Sequence, residues 1–472
     1  MKVLLIAVNQ EKHPYPVQPI GAIYIAAALK EKGHQVRLLD LNFVDDFKKD
    51  IPLVLNEFKP DLVGISIRNV DNCFYPNMEF YLPKIKEIVN CCKANTAARL
   101  VAGGSGFSVM PKEILEYLEM DLGITGNGEE VICDLASRME EGASIEKVKG
   151  IIYRKDEQYF KNPVAYDSYG LDGLEPARFL LALKTYFEEG SVAPIQSKRG
   201  CEFDCIYCTY PLIEGESVRL RNPKMVVDEI EKLKRDYGID YVFFIDNVFN
   251  YPINHAASIC KEIIDRKIEI NWTGFFNPAF ITKELVALLK ESGCSGMEFG
   301  TEAACDEMLK NLGENFNMNT LIRTHKLCSE AGIKTCHYLL LGGPWETLET
   351  IEESLNVMRE LKPTAVIVAT GIRIYPGTPL DKIAIKEGYD LKNLLIPQFY
   401  ISKALGENIE ETIQNFAKKY PEFIFEGIHK KTSKEILRMM RRMGFKGPSW
   451  EFVPVINRIF KNQPQHTHNT VK

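Results

Sequence analysis

Three cysteines lie close together near the middle of the chain, in Ser197-Lys198-Arg199-Gly200-Cys201-Glu202-Phe203-Asp204-Cys205-Ile206-Tyr207-Cys208. Thiolates are the usual ligands of iron–sulfur clusters. Three on one short loop can wrap three corners of a 4Fe–4S cubane and leave the fourth iron without a nearby cysteine. An open metal position marks a site that does chemistry. Gly200 permits the tight turn into the loop. The same spacing allows two other readings. A structural zinc site needs a fourth ligand, but the next cysteine, Cys260, lies far downstream in a helical pattern. Buried free thiols fit poorly with a loop rich in glycine and charge. The spacing favours a cluster on Cys201, Cys205 and Cys208, with the other nine cysteines scattered and outside it.

Such a loop must be held by elements. From residue 191 onward, apolar runs at Ala193–Ser197, Tyr241–Ile245, Ile270–Phe275, Met297–Phe299, Thr335–Leu341 and Ala365–Arg373 read as strands. Helical patterns such as Lys224–Tyr237, Ile253–Arg266, Lys283–Ser292 and Leu348–Leu361 follow them. Six βα units predict a partial (β/α)6 barrel over residues 191–400, with its chemistry at the carboxyl ends of the strands. Residues 1–145 alternate in the same way. Val3–Val8, Gln35–Leu41, Asp61–Ile67, Arg99–Ala102 and Leu122–Thr125 are strand-like, with helical segments between them. That pattern predicts a doubly wound, Rossmann-like α/β domain with a parallel sheet. Ligands of such sheets sit at the strands' carboxyl ends, which singles out the loops Asn9–Pro19, Arg68–Pro76 and Gly103–Ser108. Residues 146–190 read as a connector with a small hairpin at Gly150–Arg154 and Gln158–Phe160. Residues 401–472 read as a helical C-terminal region whose polar tail from Lys461 is expected to be disordered.

Composition narrows the class. The 472 residues suit two or three domains. A net charge of −6 gives no reason to expect a nucleic-acid surface. No window approaches the roughly 18 apolar residues of a membrane helix. The opening run Val3–Val8 is too short for a signal-peptide core. A cytoplasmic protein is expected, in which twelve cysteines mean thiols and metal and not disulfides.

CxxxCxxC with Tyr207 before Cys208, after the first strand of a βα barrel, closely resembles the radical S-adenosylmethionine (SAM) superfamily. The resemblance implies that the open iron chelates SAM and that Tyr207 lies near its adenine. Asp246, in Phe244-Ile245-Asp246-Asn247, matches by position the polar loop near the SAM amino group, although the usual Gly-Gly-Glu is absent. Glu298 and Glu302, in Glu298-Phe299-Gly300-Thr301-Glu302, resemble the segment whose acid approaches the ribose. Gly343 and Glu346, in Leu341-Gly342-Gly343-Pro344-Trp345-Glu346-Thr347, resemble the fifth-strand motif. Arg373, in Arg373-Ile374-Tyr375-Pro376-Gly377-Thr378-Pro379-Leu380, resembles the sixth-strand end of cobalamin-binding members. Each motif alone is an ordinary turn or surface pattern; their order after the cysteines carries the resemblance.

The first domain resembles the cobalamin-binding module. Pro16–Ala27 matches its first loop and helix. Ser66 and the run Gly103-Gly104-Ser105-Gly106 match its serine and double-glycine positions, and Gly126-Asn127-Gly128-Glu129-Glu130 its final βα turn. The resemblance implies that the glycines let a nucleotide tail pass close to the backbone. The DxHxxG motif of many cobalamin modules is absent, and only His13 and His34 lie in this domain, which argues against a histidine ligand to cobalt. A Rossmann-like domain for another ligand is the plainer alternative.

The activity implied is methylation of an unactivated carbon, with a 5′-deoxyadenosyl radical, methylcobalamin and two SAM molecules per turnover. Cyclisation or rearrangement with cobalamin as redox partner is the second reading, and a non-catalytic cobalamin sensor the third; a sensor needs no open cluster. The implied partners are a small-molecule substrate of unknown class and an electron donor such as flavodoxin or ferredoxin.

Overall fold

The computed structural model describes residues 1–164, 166, 171–420, 422–425 and 434–455. The first apolar run becomes β1 (Lys2–Ala7), with β2 (Gln35–Asp40), β3 (Leu62–Ser66), β4 (Arg99–Gly103) and β5 (Leu122–Ile124) beside it in parallel. β1 and β3 are near-continuous apolar runs because helices cover both faces. Helix Ile20–Glu31 presents Ala22, Ala26 and Ala28 to the sheet and stops at Gly33, whose φ of 83° suits only glycine comfortably. The strand order β2-β1-β3-β4-β5 reverses direction between β1 and β3, the place where such sheets open a ligand crevice.

The hairpin expected within the connector is β6 (Ile151–Lys155) and β7 (Gln158–Lys161), and it joins the edge of this first sheet antiparallel to β5. Edge pairing satisfies strand backbone that would otherwise be left exposed. The connector is tied back through Tyr186, whose hydroxyl donates to Asp40 at 2.5 Å and accepts from Asn42.

The second sheet starts at β8 (Ala193–Ile195). A short antiparallel pair, β9 (Lys198–Arg199) and β10 (Arg219–Leu220), brackets the cysteine loop. β11 (Tyr241–Phe244), β12 (Asn271–Phe276), β13 (Gly296–Glu302), β14 (Lys334–Leu341) and β15 (Ala365–Thr370) follow, all parallel. β16 (Ile372–Arg373) pairs with β17 (Phe399–Tyr400), and β18 (Phe423–Phe425) adds a parallel strand beside β15. The arc therefore has seven strands where six were expected, and residues 401–425 supply a further helix and strand. Phe-Ile-Phe is too short to show a strand period; only its place beside Val366–Val368 makes it one.

The amino ends of the strands are sealed by the 3₁₀ turn Ser449–Phe452. Trp450 Nε1 donates to Glu298 at 2.8 Å. Glu451 accepts from Lys334 Nζ at 2.7 Å, from Ser295 and from the Tyr241 hydroxyl. The tail from Lys461 lies outside the described residues.

Candidate active site

The cysteine loop leaves β9 through Gly200, at a φ of 91°, where a Cβ would run into the Ser217 carbonyl. Asp246, at the end of β11, accepts from the backbone N–H groups of Ser197 and Lys198 at 2.7 and 3.2 Å and from the Ser197 hydroxyl at 2.5 Å. Glu214 accepts from Gly200 N–H at 3.1 Å and from Asn247 at 3.3 Å. The start of the loop is thus pinned on two sides by carboxylates. Sequence reading placed Asp246 against SAM; its oxygens are instead taken up by the strand leading to Cys201.

Burial pushes the Cys201 thiol up, the Cys208 thiol to about 12, and the Cys205 thiol higher still. The charges that reinforce this are all negative: Glu202, Glu214, Glu302, Glu314 and the other thiols. Glu302 ends β13, and Glu314 accepts from the Tyr207 hydroxyl at 3.2 Å. Burial lifts both carboxyls well above the usual carboxylate range, with Glu314 adding to the lift on Glu302. The three thiols together with Glu302 and Glu314 form a donor set suited to a positively charged occupant. Metal binding would strip the thiol protons. Among the described residues, no three His, Cys, Asp or Glu side chains gather about one point as ligands of a single ion would; corners of a cubane stand farther apart.

The other expected SAM residues divide. Glu346 stays at the carboxyl end of β14, where its Oε2 accepts from Gly342 and Gly343 N–H and fixes the turn. Glu298 is a correction: it sits near the amino end of β13, bonded to Tyr338 and Trp450, as part of the seal at the far side of the barrel. Its place two residues into the strand, not its residue type, decides this. Arg373 is another. Its Nε pairs with Asp71 at 3.1 Å, and its Nη atoms donate to the Ile374 and Leu394 carbonyls, so it clamps the first domain to the barrel. Beside Arg373, Tyr400 is buried core, stacked on Tyr389.

A cleft of about 410 Å³ opens at the carboxyl ends of the first sheet. Ser66, Gly103, Gly104 and Ser105 line it, and so do Arg199, Tyr210, Glu214 and Phe275 from the barrel. Gly106 lies behind it, buried under the turn. A Cβ on Gly104 would strike the Ile67 carbonyl, and one on Gly106 would lie 2.8 Å from the Arg68 carbonyl. The Ser105 hydroxyl donates to that same Arg68 carbonyl at 3.0 Å. These residues fold the β4 turn onto β3. Of the three glycines in this run, only Gly103 has room, with its nearest neighbour 3.7 Å from a built Cβ. Ser66 and Gly103 thus face the cleft at the carboxyl ends of β3 and β4, the surface a corrin would meet. No histidine lines it among the described residues. Sequence reading missed Glu214, Glu314 and the buried Arg199–Glu129 pair, 2.7 Å apart across the domains. The one signal for them was that Arg199 precedes the cysteine loop.

A B12-binding α/β domain seated on the mouth of a cysteine-bearing βα barrel is the class that fold and site define. Residues 195–358 match the model of the radical SAM superfamily, and residues 7–136 match that of the B12 binding domain. The chain thus carries a radical SAM domain and a B12-binding domain. It is 27% identical over 444 residues to a tryptophan 2-C-methyltransferase of Streptomyces laurentii, covering 80% of this chain and 74% of that one. It is 26% identical to an anaerobic magnesium-protoporphyrin IX monomethyl ester cyclase of Cereibacter sphaeroides, covering 85% and 67%. The fold is that of the radical SAM methyltransferase TsrM of Kitasatospora setae, solved with cobalamin and a [4Fe-4S] cluster, with a TM-score of 0.87, 23% identity and 98% of each chain covered.

Proposed function

We propose that this enzyme methylates a carbon atom of a small molecule, using a 4Fe–4S cluster, SAM and cobalamin. The observation that carries the reading is that one cleft is lined by both the B12-binding domain and the barrel beside the cysteine loop. When bound, the three groups supply a radical source, a methyl donor and a methyl carrier. The chain's own residues hold and shield them. Cys201, Cys205 and Cys208 carry the cluster. Glu302 and Glu314 offer a negative wall to the sulfonium and ammonium of SAM, with Tyr207 bridging to Glu314. Gly343 and Glu346 shape the turn beside them. Ser66 and Gly103 floor the corrin cleft, and the turn from Gly104 to Gly106 keeps that floor flat. The domain division we favour is 1–145 for cobalamin, 146–190 as connector, 191–400 for the barrel and 401–472 as a C-terminal region. No helix among the described residues is long and apolar enough to cross a membrane. A cytoplasmic setting with flavodoxin or ferredoxin as reductant completes the proposal. Tryptophan, the substrate named for the Streptomyces laurentii relative, is the first compound to test.

Anaerobic incubation with SAM, reductant, cobalamin and small-molecule extracts tests this. A product heavier by one methyl group should form, with S-adenosylhomocysteine and 5′-deoxyadenosine in comparable amounts. A product without the added methyl, made without S-adenosylhomocysteine, would replace methylation by the cyclisation that the Cereibacter sphaeroides relative's name describes.

A further inference from the structure

We propose that Asn9, Gln18 and Glu129 read the amide side chains on the rim of the corrin and so select the fully amidated cofactor. The inference rests on the cobalamin reading above. All three residues line the cleft. Each has one buried polar atom without a hydrogen-bond partner among the described residues: Nδ2 of Asn9, Nε2 of Gln18 and Oε2 of Glu129. The opposite atom of each side chain is already held. Asn9 Oδ1 accepts from Glu11 N–H at 3.3 Å, Gln18 Oε1 from Arg178 at 3.5 Å, and Glu129 Oε1 from Arg199 at 2.7 Å. Which atom is left over is therefore decided by the fold. The three anchored side chains leave two donors and one acceptor.

Their places match a ligand that spans the sheet. Asn9 and Gln18 come from the loop after β1, and Glu129 from the first turn of the helix after β5. Between them lie Ser66 of β3 and Gly103 of β4. An unmatched buried polar group is costly, and a partner supplied by a ligand removes that cost. The three side chains line the cleft, and reading the rim would take a rotation about each anchored atom that turns the buried free one towards it. A carboxylate would satisfy the two donors but meet Glu129 with like charge. A cation would suit Glu129 and leave the donors empty. A primary amide answers both, since its carbonyl accepts and its NH2 donates. The rim of a corrin carries several.

Titration of the full chain, followed by absorbance, with cobalamin and with its monocarboxylate derivatives tests the proposal. In each derivative one rim amide is hydrolysed. The protein variants are Asn9→Asp, Gln18→Glu and Glu129→Gln, each nearly the same shape with the free atom inverted. The wild type should bind cobalamin at least about tenfold more tightly than one of the monocarboxylates. Glu129→Gln should recover that monocarboxylate. Asn9→Asp and Gln18→Glu should each weaken cobalamin about tenfold. Equal affinity of the wild type for all these corrins, unchanged in the three variants, would overturn the inference and leave cobalamin binding intact. A wild type that binds no corrin would overturn the cobalamin reading itself.

Discussion

Glu346 shows how much one side chain does at this site. Its Oε2 fixes the Gly342–Gly343 turn, while its Oε1 is buried without a partner among the described residues. Burial pushes its pKa up to about 7, against the pull of the two N–H donors. A carboxyl whose folded pKa is raised binds a proton more readily in the folded than in the unfolded chain. Its contribution is therefore present at low pH and lost as pH rises through about 7. Glu346→Gln should flatten the loss of stability between about pH 4.5 and 7 and leave the variant the more stable at pH 8, by about 1–3 kcal/mol. Urea unfolding at several pH values measures it; a variant with the wild-type pH slope refutes it. The cysteines give the second prediction at this scale. Because their thiols are raised by burial, by neighbouring acids and by one another, metal binding is what should hold them as thiolates. Changing Cys201, Cys205 and Cys208 together to alanine should abolish cluster absorbance while the far-ultraviolet circular dichroism survives. Full iron and sulfide in that variant would refute the assignment.

Among the elements, the turn after β4 carries a lesson about glycine. The run Gly103-Gly104-Ser105-Gly106 suggests a floor kept clear for a ligand. Gly104 has a φ of 108°, and a Cβ there meets the Ile67 backbone first. Gly104→Val should lower the stability of the protein without corrin by at least about 2 kcal/mol. Gly103→Ala, whose added Cβ would make only ordinary contact with Ile124, should leave that stability within about 0.5 kcal/mol and weaken corrin binding. Differential scanning of both variants without corrin separates the roles; if Gly104→Val melts with the wild type and only corrin binding falls, the glycine serves the ligand. The same logic places Asp246. It acts at the site through the backbone of Ser197 and Lys198, so its effect reaches the cluster by way of the loop it holds.

At the scale of the whole molecule, buried charges join the domains. Arg373 reaches Asp71 on the loop after β3, and Arg199 reaches Glu129 at the start of a helix in the first domain. Arg178 and Arg221 share Glu229, at 2.5 and 2.8 Å, where the connector meets the barrel. Removing one partner of such a pair strands the other charge out of water. Arg373→Met should therefore cost about 3–5 kcal/mol and loosen the first domain from the barrel. Denaturant unfolding should then show two transitions where the wild type shows one, and limited proteolysis should cut near the loop after β3. A variant as stable as the wild type would mean that the pair contributes nothing to docking.

The cysteine triplet, the alternating βα pattern and the order of the two domains were legible in the chain itself. They depend on neighbours a few residues apart, through turn geometry and hydrophobic period. Seven strands rather than six, the seal on Glu298 and the clamp on Arg373 were not legible. Each depends on a partner brought from far away: Trp450 to Glu298 across 152 residues, and Asp71 to Arg373 across 302. A charged residue after a strand looks the same in sequence whether it meets a ligand, a distant carboxylate or water. Docking of the domains decides which, because burial makes an unmatched charge too costly to leave and so selects its partner. The same docking closed the cleft and left Asn9, Gln18 and Glu129 each with one atom unmatched.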